Sequence, residues 1–291
     1  MQTTSEMTVA FKAAIGLLLL MKFCYGSALA NQVASGKQPS YYRGKVIQVG
    51  ESNEEIYRHY QDKLQEYQDL AFSTRQSDWN ILKRTNDGIE IATLSTGDDR
   101  DCPYIRMRAT MPTSAPTLYN FMSFANWKIF MPIINPFYQG ISVENEFTVD
   151  DGKNMVVARK RSTSILGFGR RDFSLLAVTS HVGPRSDGIL VSGTISVIAP
   201  QLIPRFEGFT RAYQDMVCFC KPVGRHVDGT HQTELTIMLR TDLNDSTDGG
   251  IGGAVPMWLV VKTFGIAGSK AMQGLRKVVQ RHAMHHAPTL P

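Results

Sequence analysis

One stretch narrows the possible folds more than any other. Residues 233–243 read Thr-Glu-Leu-Thr-Ile-Met-Leu-Arg-Thr-Asp-Leu, a strand, and they lead to a glycine loop, Gly249-Gly-Ile-Gly-Gly253. A long helical segment then opens at Pro256 and runs almost to the C-terminus. Val255, Leu259, Val260, Phe264, Ala267, Ala271, Leu275 and Val278 recur along it at helical spacing, an apolar stripe that must be buried. The natural burial surface is a sheet, so the expected class is α+β, with an antiparallel sheet gripping one long terminal helix.

The rest of the chain supplies that sheet. Ser52-Asn-Glu-Glu55 reads as a capping box, and Ile56, Tyr60, Leu64, Tyr67 and Leu70 follow at helical spacing, with Lys63 and Glu66 expected on the opposite side. Two strand-like runs, 79–84 and 89–94, flank Asn86-Asp87-Gly88, a hairpin turn signal. In 104–111 Ile105, Met107, Ala109 and Met111 alternate with Arg106, Arg108 and Thr110, which predicts a half-buried strand with the arginines toward solvent. Short helices are expected through Leu118, Phe121 and Met122 and again over 127–131, stopping at Pro132. Six further strands are expected at 140–149, 155–161, 171–182, 189–198, 209–222 and 230–243, making about nine.

Composition is that of an ordinary folded protein: 43% hydrophobic and 20% charged over 291 residues, with a formal charge of +5. No arginine-rich run or aromatic–basic RNA motif is present, so nucleic acid is not an expected partner. Four cysteines, Cys24, Cys102, Cys218 and Cys220, form no C-x-x-C pair, and apolar packing is their expected role. No G-x-S-x-G, H-E-x-x-H or P-loop motif occurs. Gly250-Ile-Gly252 lacks the following strand of a dinucleotide unit. His282, His285 and His286 sit at the end of the chain and are not taken as metal ligands.

Residues 13–21 form an apolar core of signal-peptide length behind Lys12, and Ala28-Leu29-Ala30 offers a small-x-small cleavage site. Lys22 interrupts the run short of the roughly 20 residues of a bilayer span. Residues 1–30 are therefore expected to be a cleaved secretory signal, with a retained membrane anchor as the alternative. The corresponding locations are the secretory pathway or the extracellular space, or an anchored form in the endomembrane system. A polar linker (31–52), one domain (53–286) and a short tail (287–291) follow.

The ordered set of Trp79, Ile105-Arg106-Met107-Arg108, Trp127, Arg171-Asp172-Phe173, Leu235-Thr236 to Asp242-Leu243, a glycine loop and Pro256 resembles the START family of lipid-transfer domains. The resemblance implies a helix-grip fold, a curved sheet around a central tunnel, and a lid made by the terminal helix. It further implies one bound lipid as ligand, possible exchange between membranes, no other cofactor and no catalysis. Lipid-contacting residues would be Arg171, Phe173, Leu175 and Ala177 on one strand face, with Ala158, Leu259 and Phe264. Sterol-binding members place an acid and an arginine in the tunnel, where this chain offers Ala158 and Ala177. Phospholipid or acyl lipid is therefore favoured over sterol. Ile165, Leu166 and Phe168 form an apolar loop tip flanked by Arg159, Lys160, Arg161, Arg170 and Arg171, a composition suited to a membrane surface. A monomer is expected. A helix-grip enzyme acting on a hydrophobic small molecule, and a membrane-tethered scaffold with a filled pocket, are the competing readings. Gly265, Gly268 and Gly274 weaken the terminal helix, each by about 1 kcal/mol relative to alanine. They suit either a loosening lid or a close approach to the sheet.

Overall fold

The computed structural model describes residues 47–48, 52–72, 74–96, 102–135, 137–149, 153–163, 169–178, 188–199, 201–204, 206–226, 229–242 and 257–285, the side chains of 47–48, 257–260, 263 and 282–285 excepted. The leader, the loop tip at Ile165, Leu166 and Phe168, and the 249–253 glycine loop lie outside them.

Helix α1 (Asn53–Phe72) opens with the expected box. The Glu55 amide donates to Ser52 Oγ at 3.3 Å and the Ser52 amide to Glu55 Oε2 at 3.1 Å. Those bonds, led by the one from the Ser52 backbone, hold the Glu55 carboxyl below its usual range. After a two-residue β1 (Ile47–Gln48), the strands are β2 (Asn80–Arg84), β3 (Glu90–Leu94) and β4 (Tyr104–Met111). Gly88 turns the β2–β3 hairpin at φ +79°, a conformation that favours glycine. Helices α2 (Ala115–Met122) and α3 (Trp127–Ile134) intervene. Then come β5 (Tyr138–Val149), β6 (Lys153–Ser162), β7 (Arg170–Val178), β8 (Leu190–Ile198), β9 (Phe209–Arg225) and β10 (His231–Asp242), and α4 (Met257–His285) closes the order.

Nine strands form one curved sheet in the order β2-β3-β4-β10-β9-β8-β7-β6-β5, antiparallel at every step, with β1 appended in parallel to β8. The alternation of side chains separates two cores. On the inner face Ile105, Met107, Leu175, Met216, Ile237 and their neighbours pack with α2, α3 and Met272, Leu275 and Val279 of α4. On the outer face Ile56, Tyr60, Leu64 and Tyr67 of α1 pack on Val157, Leu176, Val217 and Met238.

Three local expectations change. Pro132 lies inside α3 instead of ending it. Both Pro132 and Lys128, whose carbonyl would have met the missing N–H, face solvent, while Phe130 and Met131 are buried. Water can therefore serve that carbonyl while apolar burial holds the turn. Glu66 faces the sheet, accepting the Tyr104 hydroxyl at 2.6 Å. Arg106 is buried on the outer face, not solvated. It donates to Gln76 and Glu90 and stacks 4.2 Å from the Trp79 ring centroid.

The buried residues of α4 are Gly265, Gly268, Ser269, Met272, Leu275 and Val279, which, Leu275 apart, lie beside the apolar stripe read in the sequence and not on it. A Cβ on Gly268 would meet Met107 Sδ at 3.1 Å and Ile91 Cδ1 at 3.5 Å. These glycines mark where the helix backbone approaches the sheet, which favours the close-packing reading of them.

Candidate functional site

The face predicted to point inward does so. Phe173, Leu175, Ala177 and Ala158 all belong to the inner core and are at most 1% exposed. Phe264 is partly buried against the same core. Leu259 lies on α4 with its side chain outside the described set. Helix α4 lies along β2, β3 and β4, while α2 crosses β8, β9 and β10. Among the described residues no helix packs closely on β6 or β7.

The Arg171-Asp172-Phe173 motif divides its work between the faces, as consecutive strand residues must. Arg171 and Phe173 point inward. Asp172 points outward, completely buried, and holds Arg211 in a two-pronged bond (Nε to Oδ1 3.1 Å, Nη2 to Oδ2 2.9 Å). It also accepts the Phe206 amide at 3.3 Å, while Arg211 reaches the Ile203 carbonyl at 3.0 Å. Asp172 therefore fastens the segment between β8 and β9 to the sheet.

That segment carries a surface which sequence reading did not single out. Phe206 is 40% exposed, and its ring is flanked by the guanidinium groups of Arg159 and Arg161 at 5.4 and 5.6 Å. Arg170 stacks 4.7 Å from the Phe209 ring, which meets Phe206 edge-on at 5.3 Å. Glu144 lies 3.5 Å from Arg159. Only the arginines were visible in the sequence. Their aromatic partners, Phe206 before β9 and Phe209 at its start, meet them through the parallel pairing of Arg170 with Phe209.

Lys160 was also missed as an interior group. It stands opposite Phe173 in the β6–β7 register, and its side chain is completely buried. Its ammonium sits 3.9 Å from the Phe173 ring centroid and donates to Gln214 Oε1. Gln214 in turn donates to Thr241 Oγ1 at 3.0 Å. No carboxylate lies within ion-pair distance of Lys160 among the described residues, and burial pulls its pKa down to about 7. Arg171, one inward position along β7, is also fully buried and donates to the Arg170 carbonyl. Burial lowers its pKa as well.

Cys102, Cys218 and Cys220 are buried, and burial raises the Cys218 and Cys220 thiols. Among the described residues no group of three His, Cys, Asp or Glu side chains is placed to hold a metal, and no helix is long and apolar enough to cross a membrane.

No family model matches the sequence, and no curated protein does. Solved structures do match. Human StAR-related lipid transfer protein 5 superposes with a TM-score of 0.59 at 18% identity, covering 79% of this chain and 99% of its own. Human STARD10 gives 0.57 at 17% identity, over 79% and 84% of the two chains. The lipid transfer and protein localization domain of human StarD13 gives 0.52 at 17%, over 76% and 97%. The chain has the helix-grip fold of the START-domain lipid-transfer proteins.

Proposed function

We propose that the protein binds one lipid in the interior between its sheet and α4, and carries it between membranes without chemical change. The similar solved structures are lipid-transfer proteins, and the fold brings that reading here. The observation that carries it is the make-up of the inner core. Met107, Met111, Met122, Met131, Met216 and Met272 all belong to it, against Met155 and Met238 in the outer core. Methionine is unbranched and adapts its shape, so such an interior repacks around a guest more readily than one of branched residues. An acyl chain entering it gains about 0.8 kcal/mol per buried methylene. Ala158 and Ala177 stand where a sterol site would carry an acid and an arginine, which supports acyl lipid or phospholipid.

Docking to an anionic membrane would use Phe206 with Arg159, Arg161 and Arg170. The ring supplies apolar area and the arginines meet phosphate. Ile165, Leu166 and Phe168 follow β6 in the sequence, and in this reading they add apolar area to the membrane contact.

A second reading is a scaffold whose pocket is filled by its own side chains. One observation favours it: Ala158, Leu175 and Ala177 are fully shielded. A vesicle assay with a fluorescent phospholipid separates the two. Transfer from donor to acceptor vesicles that rises with protein concentration supports carriage. A rate equal to that of vesicles alone rejects it.

A further inference from the structure

The buried charges are distributed unevenly between the two faces of the sheet. On the outer face Asp172, Asp215 and Asp242 are buried along with Arg106 and Arg240, so acids and bases occur together. On the inner face the fully buried charged side chains among the described residues are Lys160 and Arg171, both cationic. They come from adjacent strands. Lys160 is opposite Phe173, and Arg171 is opposite Ser162, the next inward position. The Arg171 guanidinium turns toward the start of β7, to the Arg170 carbonyl, which leaves the Lys160 ammonium over Phe173 as the cation of the inner wall there.

A buried cation is costly unless an anion or several hydrogen bonds offset its lost hydration. Lys160 has one amide oxygen and one ring face. Neither carries a full negative charge. Gln214 is itself held by Thr241, so the ammonium is presented from a fixed position on the inner wall.

We propose that Lys160 anchors the acidic headgroup of the lipid, a carboxylate or phosphate, while the apolar tail lies among the methionines. This rests on the proposal that a lipid occupies the interior, and it names the class: an acid-headed acyl lipid. Phe173 forms the floor under the ammonium, and Gln214 and Thr241 hold the far side. The groups facing Lys160 are Phe173 from β7 and Gln214 from β9, the latter held by Thr241 from β10; the Arg171 guanidinium turns back along β7 to the Arg170 carbonyl.

The test uses the full chain and four probes: palmitate, lysophosphatidic acid with the same acyl chain, hexadecanol, and inorganic phosphate. The first two are expected to displace a fluorescent acyl probe at least about tenfold more tightly than hexadecanol, the worth of one charge-assisted contact. Lys160→Met is expected to abolish that preference while hexadecanol still binds. Equal affinity of wild-type protein for acid and alcohol would overturn the headgroup assignment and leave lipid binding intact. Binding of none of the acyl ligands would overturn both. Displacement of palmitate by inorganic phosphate alone would show a site for small anions and overturn the lipid headgroup. Should the variant fail to fold, wild-type protein decides. The preference is expected at about pH 6 and lost near pH 9, where Lys160 is neutral. A preference unchanged across that range would overturn the role of Lys160.

Discussion

The Lys160 ammonium stands 3.9 Å above the centre of the Phe173 ring, its opposite number on the neighbouring strand. A cation–π contact returns about 0.5–2 kcal/mol, whereas burying an ion costs several. The pair therefore leaves the ammonium under-compensated, and that deficit has measurable consequences.

The first concerns pH. Burial pulls Lys160 from 10.5 to about 7 in the folded protein. The folded value lies below the unfolded one, so between about pH 7 and pH 10 the unfolded chain binds more protons. Stability contributed by this residue therefore rises with pH across that window. Below about pH 7 both states are protonated and the full cost is carried. Lys160→Met removes the cost, so its stability advantage over wild type should shrink by about 2–3 kcal/mol from pH 7 to pH 9. Urea unfolding at the two pH values checks this. A pH-independent difference would mean the amine is not buried as a charge.

Asp172→Ala should destabilise the fold by about 3–5 kcal/mol, the usual result of stranding one member of a buried ion pair. It removes both prongs to Arg211 and the acceptor of the Phe206 amide. Denaturant unfolding measures the loss. A cost no larger than that of an exposed pair would show that Arg211 finds solvent instead.

Gly193→Ala should loosen α1. Its Cβ would fall 2.6 Å from Leu64 Cδ2, and the Gly193 carbonyl accepts the Tyr60 hydroxyl at 2.8 Å. Overpacking of this kind costs about 1–3 kcal/mol. Combining it with Leu64→Ala should cost less than the sum of the two single changes, because the clash disappears. Strict additivity in a double-mutant cycle would contradict the contact.

Phe206→Ala and the pair Arg159→Glu with Arg161→Glu should each weaken binding to vesicles containing phosphatidylserine. Only the arginine variant should also flatten the salt dependence, since its loss is electrostatic. Vesicle co-sedimentation at two ionic strengths checks this. Unchanged binding by both would remove this surface from the membrane.

The sequence displayed the architecture because the relevant signals are local. The Ser52–Glu55 box, the Asp-Gly turn and the alternation along 104–111 each need only a few neighbouring residues. The Arg-Asp-Phe motif and the closing helix supplied the order that set the fold. The site was less legible, because its relations are distant in the chain. Lys160 looked like one of a basic cluster until the register placed it opposite Phe173, with Gln214 arriving from β9. Arg106 alternated like a surface residue, yet Trp79 and Glu90 roof it over. The contact line of α4 was hidden for a simpler reason: glycine adds nothing to an apolar stripe, although it lets the backbone come closest.

Native mass spectrometry of the protein purified without detergent tests the central claim most directly. The account predicts a stoichiometric adduct of one lipid per chain, released on unfolding and identifiable as an acyl lipid. A bare polypeptide mass, persisting after incubation with mixed phospholipid and fatty-acid vesicles, would contradict it.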